Sequence, residues 1–197
     1  NSILKMDCLL SSTSSSEPVK LIGQVPLESS LPMDVRVESH GDALKFLEGF
    51  TNGTLSWKKG TADLRLLIRG TRAEPKVNGF FVLKEGEFEL MEKIVKDVDG
   101  LMLFDFNRLE VQRFSANVGP LGRVRMAGAI SLFSPGQEEK QPLSLQMQQV
   151  PFSLPVASFE VASNLEMKGS LSKPIFGGDI TIKEGFISPQ RSGTVKT

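Results

Sequence analysis

Side chains that carry catalysis or bind metals are scarce in this sequence and do not occur in sets. His40, the only histidine, stands in the run Ser-His-Gly-Asp, with no second histidine and no cysteine nearby. Zinc sites and acid–base sites need several such groups brought together. We therefore interpret His40 as a loop residue that precedes the start of a helix.

Three acidic residues, Asp97, Asp99 and Asp105, lie close together in the sequence. Their spacing lacks the regular oxygen-ligand pattern of a calcium loop, so we interpret them as turn residues and part of a solvated strand face. No Ser-His-Asp order, glycine-rich phosphate loop or carboxylate pair stands in a context that supports it. We predict that the chain is not an enzyme and that it holds no metal and no cofactor.

Charge and cysteine content bear on further classes of protein. The 23 basic and 23 acidic residues cancel and form no long run of one sign, which argues against nucleic-acid binding. Cys8 is the only cysteine, so no internal disulfide is expected, and the compartment stays open. The sequence starts with Asn, and no apolar run approaches the ~18 residues of a membrane span. We interpret it as a segment of a longer protein.

The elements that position these side chains are predicted from a period of two. Apolar residues recur at alternate positions through most of the chain, which is typical of strands with one apolar and one polar face. Gly and Pro residues separate these runs roughly every 8 to 12 residues. The pattern predicts an all-β protein with a long antiparallel meander of about twelve strands.

One short helix is predicted over 42–50. Asp42 can cap its first turn, and four apolar side chains share one face at helical spacing: Ala43, Phe46, Leu47 and Phe50. Residues 90–98 fit a short helix and a strand–turn–strand equally, so both interpretations stay open.

Two segments about a hundred residues apart share one pattern. Residues 66–88 align without a gap on 165–187, at an offset of 99, with 7 of 23 positions identical. The shared turn and bend residues are Gly70, Pro75, Gly79 and Gly86 in the first segment and Gly169, Pro174, Gly178 and Gly185 in the second. We predict a strand, a corner, a strand, a tight turn at Lys-Glu-Gly and a last strand in each.

The predicted repeat units cover about 54–100 and 155–190, within one segment that spans 1–197. Each unit can bury its apolar face only against its neighbours, so the units are expected to stack as parts of a longer array.

The order of these elements resembles the TamB family. The carboxyl-terminal region of that family repeats the phrase hydrophobic-x-hydrophobic-x-Gly-Thr/Ser, then Pro-x-hydrophobic-x-Gly, a strand and Gly. The phrase stands here at 66–86 and again at 165–185, and the stretch between, with Asp99-Gly100, Asn107-Arg108-Leu109 and the glycines at 119 and 122, is similar to the family's usual intervening run. The resemblance covers 50–190 and extends in style to cyanobacterial or chloroplast inner-envelope relatives.

The resemblance implies a β-taco, in which a long antiparallel sheet folds into an open trough with an apolar lining. It further implies a single-pass parent protein that is tethered to the inner membrane and crosses the periplasm or intermembrane space. The implied partners are a phospholipid or other acyl-chain lipid and an Omp85-type outer-membrane barrel protein. The implied roles are phospholipid transport between membranes and support of outer-membrane protein assembly and protein translocation.

An apolar trough has a clear physical use, because exposing an acyl chain to water costs about 0.8 kcal/mol per CH₂. The same alternation also fits a closed β-sandwich, whose two apolar faces meet and exclude everything else. The residues alone leave both open, and the resemblance favours the trough. The candidate lining residues are Leu64, Leu66, Ile68, Phe81, Leu83, Phe88, Val124, Met126, Ile130, Phe159, Val161, Leu165, Met167, Ile180 and Ile182.

Other interpretations remain beside the trough. Trp57 fits either the lip of a trough or ordinary core packing, and the Lys58–Lys59 pair fits lipid headgroups or simple solvation. A docking module would instead pair its sheet edges with strands of a client or of the barrel protein. A carbohydrate-binding β-solenoid would need aromatic platforms, and one Trp with no Tyr argues against it.

Overall fold

The computed structural model describes residues 2–11, 13, 15–51, 54–91, 93–134, 140–154 and 157–187. Eleven strands form one antiparallel sheet, in which each strand pairs with the next along the chain. They are β1 (Ile3–Leu10), β2 (Val19–Pro26), β3 (Met33–Ser39), β4 (Leu55–Gly70), β5 (Pro75–Leu90), β6 (Lys93–Phe106), β7 (Arg108–Val118), β8 (Gly122–Ser131), β9 (Leu143–Leu154), β10 (Ala157–Ser170) and β11 (Lys173–Ile187). The prediction of an all-β antiparallel meander is confirmed.

The sheet is open, since no pairing joins β1 to β11 within the described residues. The meander is interrupted near the end of β8, whose ladder with β9 covers only positions 123–127 of β8. Beyond that ladder, Ser170 of β10 pairs in parallel with Ser131 of β8, and the Leu171 N–H donates to the Ser131 carbonyl at 2.8 Å. The end of β10 thus lies directly beside the end of β8.

The register places apolar side chains of successive strands on one face, which we call the inner face. One row of directly paired residues crosses six strands from β3 to β8 without a charge: Val37, Leu66, Gly79, Phe104, Leu109 and Ile130. The row beside it points to the other side, which we call the outer face, and is formed by Glu38, Arg65, Phe80, Leu103, Glu110 and Ala129. The period of two in the sequence therefore becomes two chemically different surfaces.

Glycines on the inner face recur in every third strand, in β2, β5, β8 and β11. Each has a φ between +113° and +157°, and a Cβ added to any of them would lie 1.9–2.3 Å from a carbonyl oxygen of the adjacent chain segment. These residues are Gly23, Gly79, Gly128 and Gly178. Glycine at such positions lets strand backbones approach closely and lets a sheet bend.

The two segments related by an offset of 99 have the same backbone geometry. A Cβ on Gly79 would meet the carbonyl oxygen of Arg65, and one on Gly178 would meet that of Asn164, again 99 residues on. Neighbouring strands of a meander run in opposite directions, so β5 and β8, three strands apart, are antiparallel. A strand that has an equivalent glycine and also runs in the same direction therefore recurs only after six strands, as β11 does after β5. This explains why the sequence repeat is about twice the spacing of the glycines. Positions 155–156 and 188–190 of the second predicted unit lie outside the described residues.

The predicted tight turn at Lys-Glu-Gly is wrong. Residues 84–86 lie inside β5, where Glu85 has a φ of +50° and the register with β6 shifts between Leu83 and Gly86. In the second unit, Gly185 pairs with Phe159 inside β11, beside a similar register shift. Glycine permits a bulge as readily as a turn, and the bulge keeps the strand continuous. The predicted last strand of each unit is therefore the end of a longer one.

The short helix is present as a 3₁₀ helix over Ala43–Phe50. Asp42 does not cap it with its side chain, because that carboxylate accepts hydrogen bonds from Ser16 instead. Ala43 is buried, whereas Phe50, at the far end of the predicted apolar face, is 75% exposed. Leu90 ends β5 and residues 93–98 belong to β6, which resolves the open alternative in favour of strands.

Candidate functional site

All of the predicted lining residues lie on the inner face. Leu64, Leu66 and Ile68 of β4 pair with inner-face positions of β3 and β5, and the candidates on β5, β8, β10 and β11 follow through the same register. The alternation within each strand thus carries over to one continuous surface from β3 to β11. Strands β1 and β2 extend it with Leu21, which pairs with Val37 of β3.

Exposure of the predicted lining residues varies across this face. Leu83, Ile130 and Val161 are buried, whereas Ile180 and Ile182 on the edge strand β11 are 62% and 64% exposed. The remaining candidates are half-buried. The inner face is therefore packed in places, and most of the predicted lining residues keep part of their surface exposed.

The packed places are two clusters at opposite ends of the strands. One, near the start of β4 and the end of β5, contains Trp57, Ala62, Leu83, Val95, Val98 and Ala116. The other, near the start of β5 and β7 and the end of β8, contains Val77, Leu109, Val111, Ile130, Leu132 and Leu143. Phe114 packs against both. Side chains from strands that are not neighbours meet in each cluster, as expected when one sheet curves toward its own apolar side.

Trp57 belongs to the first cluster. It is 9% exposed, and its ring stacks on Phe88 with centroids 6.4 Å apart, so it packs inside the face. The neighbouring lysines pair on the polar side, Lys58 with Glu89 at 3.2 Å and Lys59 with Glu87 at 3.4 Å.

The size of the buried side chains distinguishes an open face from a closed sandwich. Among the described residues, the largest fully buried hydrophobic side chains are Ile130, Val98 and Val111. None of the phenylalanines whose side chains the structure describes is buried. In a sandwich, large side chains from two facing sheets interdigitate and are buried together. The half-buried phenylalanines instead indicate an apolar surface that solvent or a ligand can reach.

Three polar atoms on the inner face are buried and have no partner within the part of the chain that the structure describes. They are Ser39 Oγ, Trp57 Nε1 and Ser163 Oγ. Their residues are 1%, 9% and 9% exposed. A buried donor without a partner costs free energy, so each of these atoms lowers the stability of the fold locally.

The outer face carries charges and one apolar patch that the sequence interpretation missed. The patch consists of Leu67, Phe80, Val82, Leu101 and Leu103, half-buried on β4 to β6. The Arg65 guanidinium lies 6.0 Å from the Phe80 ring centroid and covers part of it. Continuous apolar runs at 80–83 and 101–104 were the available signal, since such runs indicate apolar side chains on both faces.

The side chains considered for chemistry are engaged in ordinary surface contacts. His40 Nδ1 lies 2.9 Å from Asp63 Oδ1, with both side chains about half exposed. Asp97 accepts a hydrogen bond from Asn117 at 2.9 Å, and Asp99 accepts one from the Glu85 N–H at 3.2 Å. No group of three or more His, Cys, Asp or Glu side chains among the described residues is placed to hold a metal ion. No helix in the described ranges is long and apolar enough to span a membrane.

Asp42 is the ionisable group whose environment changes its titration most. Hydrogen bonds from Ser16 and Lys45 hold the pKa of this carboxyl well below its usual range. Its Oδ1 accepts bonds from the Ser16 N–H at 2.9 Å and the Ser16 hydroxyl at 2.7 Å, and Lys45 Nζ lies 2.9 Å from Oδ2. The carboxylate therefore ties the segment before β2 to the start of the short helix.

Comparisons with family profiles, with curated proteins and with solved structures give no match for this chain. The class of protein is thus defined by the fold and the face alone. It is an all-β chain built from one open antiparallel meander, with an accessible apolar face on one side and a charged face on the other.

Proposed function

We propose that this chain is a non-enzymatic segment of a cell-envelope protein that holds the acyl chains of phospholipids on its inner face. The observation that supports the proposal is a continuous apolar face on which no phenylalanine with a described side chain is buried. In line with the resemblance to the TamB family, the parent protein would be tethered to the inner membrane. It would cross the periplasm or intermembrane space toward an Omp85-type barrel protein.

The proposed mechanism is the lateral movement of a lipid along the face. Eleven strands give ten spacings of about 4.8 Å, or a path of about 48 Å across the sheet. The inner row from Val37 to Ile130 contains no charge, so an acyl chain that moves from strand to strand exchanges one apolar contact for another.

The test is native mass spectrometry of the purified chain, followed by organic extraction and lipid analysis. Met126 and Leu165 both face Leu145 of β9 on the inner side, so Met126→Gln with Leu165→Gln places two polar groups in the path. Gln146→Glu with Asn164→Glu adds charge to the outer side of β9 and β10. Bound phospholipid should be lost from the inner variant and kept by the outer one.

Circular dichroism melting accompanies this comparison. If both variants fold and hold equal amounts of phospholipid, or if the unmodified chain holds none after exposure to vesicles, the proposal is wrong. If the inner variant unfolds while the outer one does not, the inner residues act as closed core and the docking function below is favoured.

A second candidate function is docking through the sheet edges. Both β1 and β11 have one side without a paired strand among the described residues, and β11 is 15 residues long. An exposed edge of this length can add a strand from another protein. Photo-cross-linkers at Asp179 and Thr181 of β11 would attach to client or barrel strands if this function holds, in preparations that contain no lipid.

A further inference from the structure

The turns at one end of the sheet present large apolar side chains to solvent. Within the described residues, Phe50 at 75% and Met91 at 70% are the two most exposed large apolar side chains, and Leu121 on the next turn is 60% exposed. Phe50 ends the short helix, Met91 follows β5 and Leu121 precedes β8. All three lie at the end of the strands where the first apolar cluster packs. We call them the tip residues.

Backbone hydrogen bonds connect the chain segments that carry the tip residues. The Met91 N–H donates to the Thr54 carbonyl at 2.9 Å, which joins the turn after β5 to the segment that follows the helix. The Gly119 N–H donates to the Ile94 carbonyl at 3.1 Å, which joins the turn after β7 to the start of β6. The tips therefore project from one connected rim.

A polar pocket of about 410 Å³ opens directly behind Leu121 on the outer face. Four of its side chains form one register row across β6 to β9: Lys96, Asn117, Arg123 and Gln148. Lys96 and Arg123 are both exposed and stand two strands apart, roughly 10 Å. Asp97 also lines the pocket, but its carboxylate accepts the Asn117 amide. The pocket thus offers two cations and several amides to an anion.

We propose that this end of the sheet docks on the surface of a phospholipid bilayer. Phe50, Met91 and Leu121 enter the boundary between headgroups and acyl chains, and Lys96 and Arg123 contact headgroup phosphates. The inference deepens the proposed function and rests on it for its purpose, because it names the end of the inner face at which lipid would enter.

The chemistry fits a bilayer better than a protein pocket. The tips stand on separate turns and project outward, whereas protein interfaces have a contiguous packed centre. Arg123 is two residues from Leu121 along the chain, so this cation can stay at the depth of the headgroups while Leu121 enters the acyl boundary. Cations at that depth are attracted to anionic lipid.

The opposite end of the sheet provides the matched control. Leu27, Phe106 and Leu171 are also exposed there, at 60%, 54% and 43%. Of these side chains, Phe106 is engaged within the fold, since Lys76 Nζ lies 5.9 Å from its ring centroid. Substituting three apolar residues at either end changes the total hydrophobicity by a similar amount.

The experiment is flotation of the full chain with vesicles of phosphatidylcholine, alone or mixed with phosphatidylglycerol. The tip variant is Phe50→Ser with Met91→Asn and Leu121→Ser, where Asn is chosen because Met91 has a φ of +49°. We expect at least a tenfold loss of binding to mixed vesicles for the tip variant. The control variant, Leu27→Ser with Phe106→Ser and Leu171→Ser, should bind as the unmodified chain does. Equal losses from both ends, or no loss from the tips, would overturn the proposal.

The charge component has its own comparison. Lys96→Gln with Arg123→Gln should weaken binding to mixed vesicles severalfold and leave binding to pure phosphatidylcholine nearly unchanged. Lys20→Gln with Arg36→Gln, which removes two exposed cations from the outer face of β2 and β3, should have little effect on either. Equal effects from the two pairs would mean that the pocket does not contact headgroups.

Two readouts separate this inference from the proposed function. Mass spectrometry of the tip variant should still detect phospholipid on the inner face after loading from detergent, since that face is unchanged. If the chain floats with vesicles and this depends on the tip residues, but the inner face holds no lipid, the result would support docking on the bilayer. It would contradict the proposed binding of phospholipid by the inner face. A different result would be that the unmodified chain does not float and that light scattering shows a loss of self-association in the tip variant. The tip residues would then form a contact between copies of the chain, and the proposal of docking on a bilayer would be wrong.

Discussion

Single glycines determine how closely neighbouring strands approach on the inner face. At Gly178 a Cβ would lie 2.1 Å from the Asn164 carbonyl oxygen, and φ is +121°, whereas a Cβ on the adjacent Gly177 would meet nothing within 4 Å. The backbone thus leaves no room for a side chain at Gly178, whereas the consecutive Gly177 has room for one. The same contrast identifies Gly79 and its counterparts as positions where the sheet bends.

Gly178→Ala should lower the free energy of unfolding by about 2–3 kcal/mol, because the added methyl group meets backbone that cannot move aside. Gly177→Ala should be neutral or raise stability by about 0.5 kcal/mol, because it restricts the unfolded chain without a clash. Urea denaturation of both variants measures the difference. Equal stabilities would show that the backbone at position 178 is not constrained as described.

Asp42 provides a prediction at the same scale. Its folded-state pKa is depressed, so its contribution to stability is fully present above the ordinary carboxyl pKa and is lost as the pH falls through the folded-state value. The carboxylate holds Ser16 and the Glu17 N–H, so acid should loosen that segment first. The protection of the amides at residues 15–17, measured by hydrogen exchange relative to the intrinsic rate at each pH, should fall between about pH 4 and about pH 2. Asp42→Asn should raise exchange at neutral pH and remove this pH dependence. An unchanged acid response in that variant would assign it to another group.

At the scale of elements, the strands and their faces could be predicted from the alternation of apolar residues, but the backbone conformation at each glycine could not. Glycine marks a hairpin at Gly70, a bulge near Gly86 and a bend at Gly79, and spacing alone does not distinguish them. The pairing of Asp42 with Ser16, 26 residues apart, depends on tertiary structure, so a local capping rule gave the wrong partner. The burial of Leu83, Ile130 and Val161 among otherwise half-buried lining residues depends on curvature, which no single strand encodes.

The edge strand β11 leads to a prediction about association. Ile180 and Ile182 are more than half exposed, and one edge of their strand has no paired strand within the described residues. Such edges promote pairing between copies, and lysine on an edge opposes it. Ile180→Lys with Ile182→Lys should reduce the fraction of larger species in sedimentation velocity severalfold. Ile22→Lys, a change at a 50% exposed isoleucine on the interior strand β2, should leave that fraction unaltered. An equal reduction from both would indicate a general effect of added charge.

At the scale of the whole molecule, one open sheet separates an apolar surface from a charged one over eleven strands. The prediction from sequence identified the members of the apolar surface, but it left open whether that surface is a closed core. The absence of buried phenylalanine among the side chains that the structure describes favours an open face. The exposed tips and the cationic pocket at one end would then orient that face toward a membrane.

The most direct test uses two adjacent phenylalanines that the register places on opposite faces. Phe81 pairs with Leu64 and Met102 on the inner face, and Phe80 pairs with Arg65 and Leu103 on the outer face. Each is replaced in turn by p-benzoylphenylalanine, and the chain is irradiated after incubation with phospholipid vesicles. The account predicts that position 81 cross-links to phospholipid acyl chains and that position 80 does not. Equal labelling at both positions, or labelling at position 80 alone, would contradict a lipid-binding inner face.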